Sequence, residues 1–140
     1  MKKGLFTFAF ALMCIFSFGQ TLPEGSLISV HPFTPTLKEG VSMENFVNFY
    51  KTKVIPAYEN AFPGVKMYVS KRLRGQDSSS VGIVFIFDTE ANRNKYFNND
   101  DTPTELGKVA FTKLNDIGKE FGKFVMPSNA PEIYTDWLVL

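Results

Sequence analysis

The chain has 140 residues, a formal net charge of +1 and a single cysteine, Cys14. So small a charge excludes the basic surface with which proteins bind nucleic acid or anionic membranes. One cysteine excludes both an intrachain disulfide and a structural thiolate zinc site. The length suits one domain with one hydrophobic core.

The N-terminal residues have the pattern of a cleavable secretory signal peptide. Two lysines precede an apolar run over residues 5–16, and Ser17 and Gly19 place small residues where a signal peptidase reads them. We predict a signal peptide over residues 1–19, cleavage before Gln20, and an exported protein that is periplasmic or secreted. An uncleaved anchor is the alternative, but a membrane span needs about 20 apolar residues, more than this run supplies.

The first strand and the first helix open the single predicted domain, residues 20–140. Residues 27–34 alternate and are rich in β-branched and aromatic side chains, which is typical of a strand. Ser42 can cap a following helix, whose apolar residues recur at steps of three and four. Pro56 lies inside that helix and removes one backbone hydrogen bond, which predicts a kink near residues 52–55.

The second and third strands are predicted at residues 65–74 and 80–87. The third strand is apolar on both of its sides, which indicates that both faces of the sheet are covered there. The second strand carries cations that either bind an anion or, more simply, protect a sheet edge from stray pairing. These cations are Lys66, Lys71, Arg72 and Arg74.

The C-terminal part predicts a short helix that is capped by Asp88 or Thr89 and ends near Phe97, a longer helix, and a last strand over residues 133–140. For the longer helix we predict Thr102 as the N-cap, Pro103 as the first helical residue and Glu105 as the closing residue of a capping box. Glycines in this helix are either loose surface positions or points of close approach to another backbone. They are Gly107, Gly118 and Gly122.

The element order is β-α-β-β-α-β, which is the ferredoxin-like pattern of the α+β class. It predicts a four-stranded antiparallel sheet with the helices on one face only. The apolar third strand then requires a separate cover for the other face.

Several segments, together with this order, carry a resemblance to a known superfamily. They are Phe46, Tyr50 and Ile55-Pro56 in the first helix, Phe87-Asp88-Thr89 with Glu90-Ala91 and Tyr96-Phe97 after the third strand, and the terminal Tyr134-Thr135-Asp136-Trp137. Over residues 26–140 the chain resembles the dimeric α+β barrel superfamily, including antibiotic-biosynthesis-monooxygenase-like and stress-responsive barrel domains. The resemblance implies a homodimer whose two sheets face each other and enclose a pocket.

Strand alternation then predicts a ligand site. We expect the purely apolar sides of the strands, with Trp137, to lie under the helices and the mixed sides to face the barrel interior. An apolar cavity with a few converging polar groups is typical of small-molecule sites. The predicted ligand-binding residues are Ser29, His31, Tyr68, Ser70, Arg72, Tyr134 and Asp136.

The candidate catalytic residues are His31, the only histidine, and Asp136. An imidazole suits acid–base chemistry near neutral pH, and a carboxylate could orient it. A structural histidine, and an ion pair between Asp136 and Arg72, are the simpler interpretations. We predict no metal site and no cofactor, because metal-ligand clusters and phosphate-binding glycine loops are missing.

The sequence therefore predicts an exported, homodimeric domain that binds a small apolar or aromatic molecule, with no recognisable catalytic motif. The alternative is a cofactor-independent, monooxygenase-like or isomerase-like enzyme that uses His31 and Asp136. A third interpretation is a module that docks another protein. Neither nucleic acid nor, after signal cleavage, a membrane is a predicted partner.

Overall fold

The computed structural model describes residues 21–74, 80–128 and 133–140. The predicted signal peptide lies outside these residues and stays a prediction. Among the residues described, no helix combines the length and the apolar character that a membrane span needs.

Four strands form one antiparallel sheet: β1 (Leu27–Phe33), β2 (Val65–Lys71), β3 (Val81–Phe87) and β4 (Thr135–Leu138). The spatial order is β2-β3-β1-β4. This is the strand order of the ferredoxin-like fold, and it confirms the predicted fold class. Strand β2 lies at an edge of the sheet, as its run of cations indicates.

The first helical region changes its hydrogen-bonding pattern just before Pro56, at the place where the sequence predicts a kink. It consists of α1 (Met43–Phe49), a π-helical segment (Tyr50–Val54) and α2 (Ile55–Ala61). Within it, the Ile55 N–H donates to the Tyr50 carbonyl, five residues back. Because Pro56 has no N–H and its ring crowds the carbonyl four residues earlier, a wider turn relieves the clash.

The N-caps of two helices agree with the sequence, and the third does not. Ser42 caps α1, and Thr89 caps α3 (Glu90–Tyr96) by accepting from the Asn92 N–H at 3.0 Å. The predicted cap at Thr102 is wrong, because Thr104 caps α4 (Glu105–Thr112). Pro103, expected to be the first helical residue, instead forms a β-bridge with Phe97 that delays the helix.

The last helical region is also divided, into α4 and α5 (Asn115–Phe121). The two explanations for its glycines apply to different residues. A side chain at Gly107 would collide with the carbonyl oxygen of Tyr96, so this glycine permits close approach of α4 to α3. Nothing lies within 4 Å of the corresponding point at Gly118, which is a surface position.

The helices pack on one face of the sheet, which we call the helix face. Its members alternate along the strands and are paired across them. They are Leu27, Ser29, His31, Phe33, Val65, Met67, Val69, Lys71, Val81, Ile83, Phe85, Phe87, Asp136 and Leu138. Two core clusters lie between this face and the helices, one around Phe46 and the other around Phe62.

The other side of the sheet, the open face, contains no buried residue. Its members are Ile28, Val30, Pro32, Lys66, Tyr68, Ser70, Gly82, Val84, Ile86, Thr135 and Trp137. The expectation that Trp137 lies under the helices is wrong, since it pairs with Ile28 on the open face and is 61% exposed. The helices thus cover one face of β3, and a cover over its second face stays a prediction.

Candidate ligand cavity beneath the helices

A cavity of about 320 Å³ lies between the helix face and the helices. Its volume falls within the range of small-molecule sites, about 300–1,000 Å³. Aromatic side chains dominate the lining: Tyr58, Phe62, Phe85, Phe87, Phe97, Phe111 and Tyr134. The remaining lining residues are Ser29, His31, Val65, Arg93, Asp101, Pro103 and Asp136. The cavity is thus apolar in its walls, with a small number of polar groups.

Ser29 and His31 form one polar wall of the cavity. They stand two residues apart on β1, so both side chains point to the helix face, and Ser29 Oγ and His31 Nε2 are hydrogen-bonded at 2.9 Å. The imidazole stacks on Tyr134, with centroids 5.1 Å apart, and meets the edge of Phe85 at the same separation. These contacts fix the orientation of the histidine ring.

Asp101 joins the loop between α3 and α4 to the residue that precedes β4. Its carboxylate forms an ion pair with Arg93 and accepts a hydrogen bond from the Tyr134 hydroxyl. That hydrogen bond, with a smaller contribution from partial burial, raises the pKa of Tyr134. Asp101 has φ of 62°, a conformation that residues other than glycine seldom adopt, and two side-chain interactions hold it there.

Four of the seven predicted ligand-binding residues line this cavity. They are Ser29, His31, Tyr134 and Asp136. Their role in binding stays a prediction. They lie on the helix face rather than in the expected barrel interior, and Tyr134 and Asp136 are exposed there. The serine and the histidine are tolerated in a covered layer because each satisfies the other's hydrogen bond.

The other three predicted residues lie elsewhere. Tyr68 and Ser70 are on the open face, and Arg72 follows the end of β2 and is exposed. The expectation that all seven residues share one side of the sheet is therefore wrong. The error arose from assigning the purely apolar sides of β1 and β4 to the helices, whereas the mixed sides lie there.

Within the described part of the chain, Asp136 does not interact with His31 or Arg72, its two predicted partners. Asp136 is the cross-strand neighbour of Ser29 and lines the same cavity as His31. Of the side chains in residues 21–74, 80–128 and 133–140, none forms a hydrogen bond or an ion pair with its carboxylate. Neither the orienting contact to His31 nor the ion pair to Arg72 is made.

Sequence reasoning missed the half of the cavity that the helices supply. Arg93 and Asp101 come together only through the loop after α3, and no local pattern marks that contact. Tyr58 and Phe62 lie four residues apart, a spacing that in the sequence is equally typical of core packing. In the described residues, no group of three or more histidine, cysteine, aspartate or glutamate side chains could hold a metal ion.

The strand order and this cavity define an α+β domain of ferredoxin-like fold with an aromatic cavity of ligand size under its helices. No protein-family model matches the chain, and no curated protein shows significant similarity to it. Among solved structures, the chain is similar to a dimeric protein of unknown function and ferredoxin-like fold from Bacteroides fragilis NCTC 9343. The TM-score is 0.35 at 11% identity, covering 82% of this chain and 97% of that chain.

Proposed function

We propose that this protein is an exported domain that binds a small apolar or aromatic molecule in the cavity beneath its helices. One observation carries the proposal: a 320 Å³ cavity combines aromatic walls with the hydrogen-bonded pair Ser29 and His31. Aromatic walls supply most of the binding energy, and a few fixed polar groups orient the ligand.

The wall geometry suits an aromatic ligand. The ring of Phe111 meets Phe62 at 5.2 Å and Phe97 at 6.0 Å, both nearly edge-on. Rings in these arrangements attract further rings, since aromatic pairs prefer edge-to-face or offset contacts with centroids about 4.5–7 Å apart. A polar substituent on the ligand would lie against the serine and histidine wall.

A cavity-filling substitution tests the proposal. Ser29→Leu places a larger apolar side chain in the cavity, and Ser70→Leu makes the same change on the open face. We expect Ser29→Leu to weaken binding of 2-phenylethanol about tenfold or more, since filled sites accept extra atoms only at the cost of strain. Saturation-transfer NMR and calorimetry measure the dissociation constants, and Ser70→Leu should bind as the unchanged protein does.

A second variant serves the same test if Ser29→Leu does not fold. If methyl NMR shows that Ser29→Leu is unfolded, Phe111→Ala removes one aromatic wall and should weaken binding about threefold or more. Unchanged affinity in the folded Ser29→Leu protein, or in Phe111→Ala where that variant replaces it, would rule the cavity out as the binding site.

The proposal includes a homodimer in which the open face packs against its copy. Four half-buried aliphatic residues occupy the centre of this face, with Tyr68 and Trp137 exposed on either side: Ile28, Val30, Val84 and Ile86. Contiguous exposed apolar surface of this kind marks an interaction site. The second sheet would also provide the cover that β3 lacks.

Sedimentation of two lysine variants tests the dimer. Val84→Lys puts a charge at the centre of the open face, and Val109→Lys puts one on an exposed apolar position of α4. An unpaired charge in a closed interface should weaken association about a hundredfold or more. Val109→Lys should leave association unchanged, and a monomeric parent protein at about 100 µM, far above the dissociation constants of stable complexes, would refute the dimer.

Export is the third part of the proposal and rests on the pattern of residues 1–19. Expression of the full chain followed by N-terminal sequencing of the processed protein tests it. The expected first residue is Gln20. A protein retained in the cytoplasm with its first residues intact would contradict export.

The alternative enzyme remains a second candidate because His31 lines the cavity and is hydrogen-bonded to a hydroxyl. Isomerase-like acid–base chemistry would exchange the proton beside the carbonyl of an aryl ketone such as 1-indanone in D2O. Oxygenase-like chemistry would consume oxygen with a phenol. We expect His31→Gln to abolish either activity and Tyr68→Phe to preserve it, and rates equal to buffer alone would reject this candidate.

A further inference from the structure

The charged groups of the cavity differ in how many hydrogen bonds and ion pairs they already form. The Arg93 side chain is only 11% exposed, and its guanidinium pairs with Asp101. It also donates to the carbonyl oxygens of Phe97 at 3.2 Å and Asn98 at 2.7 Å. A guanidinium so occupied offers little to an anionic ligand, because the ligand would have to displace partners that already satisfy it.

Asp136 also lines the cavity, but it is exposed to solvent. In the part of the chain that the structure describes, its side chain forms no hydrogen bond or ion pair. With histidine counted as neutral, the lining contains the two carboxylates of Asp101 and Asp136 and the one guanidinium of Arg93. Counted over the described residues, the lining therefore carries a net negative charge. This charge favours a cation and opposes an anion.

The aromatic walls favour a cation for a separate reason. The faces of aromatic rings are electron-rich and attract ammonium and guanidinium groups within about 6 Å. The cavity already contains one such contact, since the guanidinium carbon of Arg93 lies 5.4 Å from the ring centroid of Phe97. A second cation among these rings would be stabilised in the same way.

We propose that the ligand of this cavity is an aryl-alkyl ammonium ion, with its ring among the aromatic side chains and its ammonium at the Asp136 carboxylate. This inference rests on the proposed function, because it specifies the ligand class of the same cavity. It would make Asp136 a specificity-determining residue.

Three probes with the same aromatic skeleton test the inference: 2-phenylethylammonium, 2-phenylethanol and 3-phenylpropionate. Calorimetry at low salt should show the ammonium binding about tenfold more tightly than the alcohol, from cation–π and carboxylate contacts together. The carboxylate should bind most weakly. Equal affinity for ammonium and alcohol, or tighter binding of 3-phenylpropionate, would overturn the inference while leaving the proposed function intact.

Charge-matched variants identify the group responsible. Asp136→Asn should remove most of the preference for 2-phenylethylammonium over 2-phenylethanol. Asp116→Asn makes the same change in net charge on the exposed surface of α5, where Asp116 pairs with Lys119, and should preserve the preference. A preference that survives Asp136→Asn would overturn the inference. If none of the three probes binds, the proposed function and this inference fail together.

Discussion

The two faces of the sheet are built from the same strands and have opposite character. On the helix face, the polar Ser29 is 6% exposed, whereas on the open face the apolar Trp137 is 61% exposed. Polarity alone therefore does not decide which face is covered. A polar group with its hydrogen bond satisfied lies under the helices at little cost, and exposed apolar groups gather where another surface fits.

The largest expected effect tests whether the helix face holds the fold together. Phe46 is fully buried and contacts Phe33, Tyr50 and Phe121. Phe46→Ala should lower the free energy of unfolding by about 3–5 kcal/mol, since it removes a large ring and leaves a cavity. Urea unfolding measures the change.

The control for Phe46 is Leu73→Ala, because Leu73 is an exposed apolar residue beyond the end of β2. Its effect should stay within about 0.5 kcal/mol. Comparable losses in the two variants would contradict the contrast between a covered, stabilising face and an exposed surface.

The next effect concerns how tightly the helix layer is packed. Gly107→Ala should destabilise the protein by about 1–2 kcal/mol, because the added methyl group meets a backbone oxygen of α3 and the helices must separate. Gly118→Ala, in open space, should instead stabilise by about 1 kcal/mol through helix propensity. Thermal unfolding of both variants measures these changes in stability. Stabilisation by both would mean that α4 and α3 are not tightly packed at Gly107.

A smaller effect appears at high pH. Burial, with a lesser contribution from Tyr58, raises the pKa of Tyr50 above its ordinary value of 10.0. The folded state therefore keeps its proton where the unfolded state loses it, so the free energy of unfolding is unaffected below pH 10 and declines above it. The limiting slope for one proton is about 1.4 kcal/mol per pH unit.

Tyr50→Phe should remove this contribution to the alkaline loss of stability. Urea unfolding of both proteins between pH 9 and pH 11 measures the difference in slope. Identical slopes would show that the phenol ionises without unfolding, which would place it in contact with water.

The smallest effects separate the two groups of predicted ligand-binding residues. Tyr68→Phe on the open face should leave binding of 2-phenylethylammonium unchanged. Tyr134→Phe keeps the ring that stacks on His31 but loses the hydrogen bond to Asp101, and should weaken binding about threefold, within the usual contribution of one hydrogen bond. A larger loss of affinity in Tyr68→Phe than in Tyr134→Phe would indicate that the ligand binds on the open face.

Local signals in the sequence predicted the fold well. Alternation and apolar periodicity located the four strands and the helices, and the caps at Ser42 and Thr89 follow from side chains adjacent to the helix they begin. The cap at Thr104 was missed because it depends on the β-bridge between Phe97 and Pro103, six residues apart and formed only after the chain turns back.

The candidate site was only partly predictable, for a related reason. Alternation correctly placed Ser29 beside His31, but it cannot say which face of a strand the helices will choose. That choice depends on how the polar pair is satisfied and on the aromatic residues that approach from the helices. Arg93 and Asp101 reach the cavity through a loop conformation with positive φ at Asp101. Sequence patterns seldom predict such a conformation at an aspartate.

The π-helical segment Tyr50–Val54 has a geometric consequence for the cavity. Large side chains recur at every fourth position along this region: Phe46, Tyr50, Val54, Tyr58 and Phe62. In an unbroken α-helix, a four-residue spacing rotates each successive side chain by about 40°, so the ends of the row would face different directions. The wider turn winds the backbone back by part of that angle. The row of large side chains therefore stays closer to one side of the helical region. Its first residues pack in the core, and its last residues line the cavity.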